Sequence, residues 1–284
     1  MIVFLILSFW LPLFATNFKD CTDQKEACFA ANNSPQKAFQ IKAPSNKAAI
    51  FIHGLSDSPY FTKDLATTLS QNGYNVYSIL LSGHGSSYEA LLDVKAENWI
   101  NDITQAIRQA KLETGATQVT LVGFSLGGVL ATALAEDSQW SKSISKIVLL
   151  APAYQVKKNK RGKLMCSIGA TELMAWNRPE TSIVKYNQMY LAPVCELIRL
   201  GDLTKENIKS VQAPVFMVVT DGDQTINTHV ALKVYNEISA HKELFHIRNE
   251  SVSHTDINFK QDSLENRQNP YFDEMARQIV QFLQ

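Results

Sequence analysis

Gln118-Val-Thr-Leu-Val-Gly-Phe-Ser-Leu-Gly-Gly-Val-Leu-Ala-Thr-Ala-Leu-Ala135 decides how the rest of the chain is read. A short apolar run leads into Gly123-Phe-Ser-Leu-Gly127, and an Ala/Leu-rich run follows. β-branched and apolar residues favour a buried strand, and Ala and Leu favour a helix, so the serine falls on the turn between them. This is the G-x-S-x-G spacing of a serine nucleophile. A serine on so sharp a turn crowds its surroundings, which is why the positions two before and two after carry no side chain. The helix that follows aims its free N–H groups at the same point. The plainer alternative is a glycine-rich turn that packs a helix tightly on a sheet.

Outward from this stretch, apolar strands alternate with helical segments. Lys37 to Lys42 is a candidate first strand, and Lys47-Ala-Ala-Ile-Phe-Ile52 reads as a central one. Ser58-Pro59 is expected to open a helix reaching about Asn72, with Ser58 as N-cap. Strands follow at Tyr74 to Leu81, Ile144 to Leu150, Pro214 to Thr220 and near Leu244 to Ile247. Helices are expected over Ala96 to Glu113, with Trp99, Ile103, Ile107 and Ala110 on one face, then over Thr228 to Ile238 and Tyr271 to Leu283. Such alternation implies an α/β fold with a mostly parallel central sheet flanked by helices. Its ligand site lies beyond the carboxyl ends of the strands.

A serine hydroxyl needs a base within reach and a third group to orient that base. Four histidines follow Ser125. His229 and His241 fall in or at the end of a predicted helix, and His246 falls within a strand. His254 sits in a loop between the last strand and the last helix, so it is the candidate base. The acid is sought in Thr220-Asp-Gly-Asp-Gln-Thr-Ile226, directly after a strand, with Asp223 preferred and Asp221 in reserve. The resulting order is Ser125, Asp223, His254.

With these motifs in place the chain resembles the monoacylglycerol lipase and carboxylesterase branch of the α/β-hydrolase superfamily, also grouped with serine aminopeptidase-type hydrolases. His53-Gly-Leu-Ser-Asp-Ser-Pro59 is similar to that family's HG-x-x-x-SP oxyanion loop, Ser82-Gly-His-Gly85 to its GHG loop, and Asp223-Gln-Thr-Ile226 to its acid turn. The likeness runs from about Lys47 to the C-terminus, and it favours Asp223 over Asp221. It implies an oxyanion hole made by the backbone N–H groups of Leu55 and Leu126, with His53 and His84 fixing loops. It also implies a small cap at about residues 155–209. There Trp176, Tyr186, Met189 and Tyr190, with Met165 and Met174, are candidates to line an apolar acyl tunnel or to form the cap's own core.

The remaining properties bound the function. The chain has 284 residues, 45% of them hydrophobic, which is enough for one α/β domain with an insertion. Twenty-seven basic and 27 acidic residues cancel, which argues against nucleic acid as a partner and favours an apolar small molecule. Ile2 to Ala15 is apolar and uncharged, yet shorter than the roughly 20 residues a spanning helix needs. It matches a signal-peptide core, so residues 1–16 are expected to be a signal peptide or a membrane-associating anchor on an exported protein. Residues 17–36 are read as a polar linker and 37–284 as the hydrolase domain. Four cysteines suit an oxidising compartment, with Cys21–Cys28 and Cys166–Cys195 as the pairings within local segments. No C-x-x-C occurs and the histidines are scattered, so no metal site and no cofactor are expected. The expected activity is cleavage of a short or medium acyl ester, or of a monoacylglycerol. The alternatives are a thioesterase or peptidase of the same fold, or a non-catalytic binding protein.

Overall fold

The computed structural model describes residues 19–20, 37–157, 164–167, 173–175 and 184–284. The apolar N-terminal segment, Cys21, Cys28 and Trp176 lie outside the described residues. Ten strands are described, in chain order: β1 Lys19–Asp20, β2 Phe39–Ile41, β3 Ala48–Ile52, β4 Asn75–Ser78, β5 Val119–Phe124, β6 Ile144–Leu150, β7 Leu173–Ala175, β8 Gln188–Tyr190, β9 Val215–Thr220 and β10 Lys242–Ile247. The long helices are α1 Lys63–Gln71, α2 Ala96–Thr114, α3 Leu126–Glu136, α4 Leu191–Asn207, α5 Thr228–Glu237 and α6 Phe272–Leu283.

Eight strands form one sheet in the order β1-β2-β4-β3-β5-β6-β9-β10. Only the β2–β4 pairing is antiparallel. β3, β4, β5 and β9 are buried at every position, as continuous Val/Ile/Leu-rich runs predict for strands covered on both faces. Because β3 to β6 and β9 run parallel and in register (Ile52 opposite Gly123, Phe124 opposite Leu150, Leu150 opposite Val218), their carboxyl ends open on one edge. The loops starting at His53, Ser125, Ala151 and Asp221 therefore meet there.

Two expectations are corrected. Pro59 does start a helix, but its first turn is a tight 3₁₀ turn, Pro59–Thr62, and the Ser58 side chain makes no capping bond. Within the stretch read as a polar linker, Lys19–Asp20 pairs in parallel with β2. The segment expected to form the cap is also built into the domain. It contains the antiparallel pair β7–β8, and it ends in α4, whose Leu197 and Leu200 are buried in the main core. Among the described residues, no helix is long and apolar enough to cross a membrane.

Candidate active site

The turn between β5 and α3 is as tight as its sequence requires. Ser125 has φ 54° and ψ −113°, a backbone conformation that L-residues rarely adopt. A Cβ on Gly123 would lie 2.2 Å from the Gly127 carbonyl oxygen, and one on Gly127 would lie 2.1 Å from that of Ile52. Neither neighbour can retreat, because both are backbone. The strain is held from β6: Ser125 N–H donates to Leu150 O at 2.9 Å, and Ala153 N–H donates to Ser125 O at 3.1 Å.

His254 arrives from the loop after β10. Its Nε2 accepts from Ser125 Oγ–H at 2.9 Å, and its Nδ1–H donates to Asp223 Oδ2 at 2.5 Å. The partners fix the tautomer, since a carboxylate can only accept. Phe124 packs against the imidazole with ring centroids 4.9 Å apart. Thr225 and Ile226 N–H both donate to Asp223 Oδ1 at 2.8 Å, so the second oxygen is left for His254. Asp223 is 0% exposed, whereas Ser125 and His254 are 7% and 6% exposed. The acid is shut off from water while the serine keeps an outlet.

The supporting loops lock together. A Cβ at Gly222 would meet Glu250 O and Val252 O at 2.4 and 2.5 Å, so the Asp223 turn and the His254 loop touch backbone to backbone. Asp256 accepts Ser253 N–H at 2.8 Å and holds Arg267 at 3.0 Å, which braces the loop from its far side. Asp221 instead pairs with His246 at 2.7 Å and is 44% exposed. His229 and His241 are exposed. Asp223 and His254, then, are brought to Ser125, and the other candidates are not.

Beside the elbow lies the loop 53–59, for a Cβ on Gly127 would also meet His53 O at 2.9 Å. The backbone N–H groups of Leu55 and Leu126 donate to no group among the described residues. Gly54 O, in the same peptide unit as Leu55 N–H, is held by His53 Nδ1–H at 2.8 Å and Asp57 N–H at 3.2 Å. His53 Nε2 accepts Leu81 N–H at 3.1 Å. His84 Nδ1–H donates to Ser82 O, and its Nε2 accepts Ser56 N–H, both at 3.2 Å. The two rings meet edge to face at 4.7 Å. Burial lowers both pKa values, that of His84 to about 4, so each ring stays neutral and keeps its acceptor nitrogen.

The cap residues separate in their roles. Met189 is buried in the core, and Tyr190 packs on Tyr88 at 5.8 Å. Tyr186 is turned into the loops: its hydroxyl donates to Gly83 O at 2.9 Å and accepts Ser86 N–H at 3.1 Å. Cys166 and Cys195 form a disulfide, which ties an earlier part of the insertion to α4 at its end. Sequence reasoning missed Lys157, whose N–H donates to Thr225 O at 2.9 Å and whose Nζ donates to Asp223 O. A lysine in a basic run carries no signal of such a partner.

A parallel sheet with a strained serine between strand and helix, and with histidine and aspartate supplied by later strand ends, defines an α/β-hydrolase. More narrowly, the chain belongs to the serine aminopeptidase S33 hydrolase family, whose model matches residues 43–191. It is 26% identical to a carboxylesterase of Bacillus subtilis (strain 168) over 208 residues, 71% of this chain and 82% of that one. It is also 26% identical to a thermostable monoacylglycerol lipase of Bacillus sp. (strain H-257) over 206 residues, 70% and 80% of the two chains. A structure from the metagenome-derived lipolytic enzymes LipS and LipT shares the fold, with TM-score 0.74 at 19% identity, covering 87% of this chain and 97% of that one.

Proposed function

We propose that this hydrolase cleaves carboxylic esters through an acyl-enzyme on Ser125, with a short or medium acyl ester or a monoacylglycerol as substrate. The observation that carries the reading is the continuous hydrogen-bond chain from Ser125 Oγ through His254 to a fully buried Asp223. Ser125 Oγ attacks the ester carbonyl as His254 Nε2 takes its proton. Asp223 holds the ring in the productive tautomer and stabilises the imidazolium. The N–H groups of Leu55 and Leu126 receive the negative oxygen; donors of this kind are worth about 10²–10³ in rate each. His254 then protonates the leaving alcohol. Water, deprotonated by the same nitrogen, attacks the acyl-enzyme and releases the acid. The names of the two relatives support an ester over a peptide or thioester substrate.

We further infer export from the cell. The apolar run 2–15 supports this, whether it is removed or retained at a membrane, and so does the Cys166–Cys195 disulfide.

The substrate class is tested with p-nitrophenyl esters of increasing acyl length, acyl-CoA thioesters and aminoacyl arylamides. Esters are expected to give the highest kcat/KM by at least about tenfold, a difference of roughly 1.4 kcal/mol in transition-state binding. Rapid arylamide turnover with silent esters would make the protein a peptidase.

A further inference from the structure

The loop 53–59 contains a second strained residue. Ser56 follows Leu55 and has φ 68°, in the left-handed region that side chains disfavour. It is gripped on both sides. Its N–H donates to His84 Nε2 at 3.2 Å, and its carbonyl oxygen accepts Tyr186 N–H at 2.8 Å. Consecutive peptide planes are thus fixed from outside the loop: Leu55–Ser56 by His84, and Ser56–Asp57 by Tyr186. The rings of His84 and Tyr186 are themselves stacked, 6.0 Å apart and inclined by 7°. The Tyr186 hydroxyl spans Gly83 O and Ser86 N–H, so it fixes the loop that carries His84.

Tyr186 does not belong to the sheet. It lies within the cap insertion, and the two residues before it are anchored to the rest of the domain. Val184 is buried with Tyr60, Phe61 and Phe259. Lys185 Nζ forms a buried ion pair with Glu265 at 2.6 Å. The segment 184–186 is therefore anchored, and it bears on the residue beside the proposed oxyanion donor.

We propose that His84 and Tyr186 are positioning residues for catalysis. By clamping Ser56 in its left-handed conformation they aim the Leu55 N–H at the developing oxyanion, and through Tyr186 the seating of the cap sets that aim. The inference rests on the ester-hydrolase reading above. A misaimed donor weakens transition-state binding while leaving ground-state binding nearly untouched, so the effect falls on kcat.

The test compares wild type with His84→Phe, His84→Gln, Tyr186→Phe and Ser125→Ala on one p-nitrophenyl ester. Rates of wild type and of the His84 and Tyr186 variants are expressed per serine titrated with a fluorophosphonate, that of Ser125→Ala per mole of protein, and the Ki of a trifluoromethyl ketone is measured alongside. His84→Phe keeps a ring beside Tyr186 but removes the acceptor for Ser56 N–H. It is expected to lower kcat about 10–100-fold, short of losing a donor outright, with KM within about threefold and the ketone Ki raised in step with the loss in kcat. His84→Gln, which can return an acceptor oxygen, should recover most of that loss. Tyr186→Phe should show the same pattern at about 3–10-fold. A merely structural role would lower the titratable fraction and leave the rate per serine and the ketone Ki unchanged. That result in His84→Phe, or in Tyr186→Phe should His84→Phe not fold, overturns the inference. A wild type no faster than Ser125→Ala would instead overturn the ester-hydrolase reading itself.

Discussion

Asp221 and Asp223 are two residues apart on one turn, and their surroundings give them opposite fates. Asp223 is buried, takes two backbone N–H bonds on one oxygen and His254 on the other. Asp221 faces solvent and engages His246. Asp223→Asn is expected to reduce kcat/KM by about 10³-fold or more, because an amide no longer enforces the tautomer that leaves Nε2 free to accept. Asp221→Asn should change it less than about threefold, the scale of a lost surface pair. Steady-state kinetics on the two variants decides the matter, and comparable small effects would remove both from the mechanism. The pair also marks the limit of what the residues disclose. The motif order placed an acid on this turn, but the choice between the two aspartates needed either the family likeness or the fold. Ser125 and His254 were legible because each combines a reactive group with a turn or loop at a strand end. Tyr186 was not. An aromatic in an apolar insertion looks alike whether it lines a tunnel or braces a loop.

Among the elements, strands β2 to β6, β9 and β10 and the long helices other than α4 follow from apolar periodicity, and their expected limits differ from those observed by only a few residues. The cap insertion does not follow, because its contacts are non-local. It is tied down at two places. At its start Val156 bridges to Ile226 and Lys157 reaches Asp223 O. Further along, Lys185 and Glu265, both buried, form an ion pair with Arg267 close by. Removing one partner of such a pair leaves a charge in a dry site. Lys185→Met is therefore expected to cost about 3–5 kcal/mol in urea unfolding, and Lys185→Met with Glu265→Leu should regain much of it. A Lys185→Met variant as stable as wild type would show that the insertion is not held here by the ion pair.

At the scale of the whole molecule, one sheet edge collects the loops after β3, β5, β6, β9 and β10, and four of them carry groups of the proposed mechanism. The loop after β3 offers Leu55 N–H, the turn after β5 offers Ser125 and Leu126 N–H, the turn after β9 offers Asp223, and the loop after β10 offers His254. These groups lie far apart in sequence, and parallel register alone brings them together. Zero net charge suits an uncharged ester better than an anionic polymer. The central claim is that Ser125 is the nucleophile of this assembly, and covalent labelling tests it most directly. Wild-type protein treated with a fluorophosphonate is expected to gain one phosphonyl group, located on Ser125 by peptide mass spectrometry, while folded Ser125→Ala gains none. A folded wild type that takes up no label, or a Ser125→Ala variant labelled as fast as wild type, would contradict it.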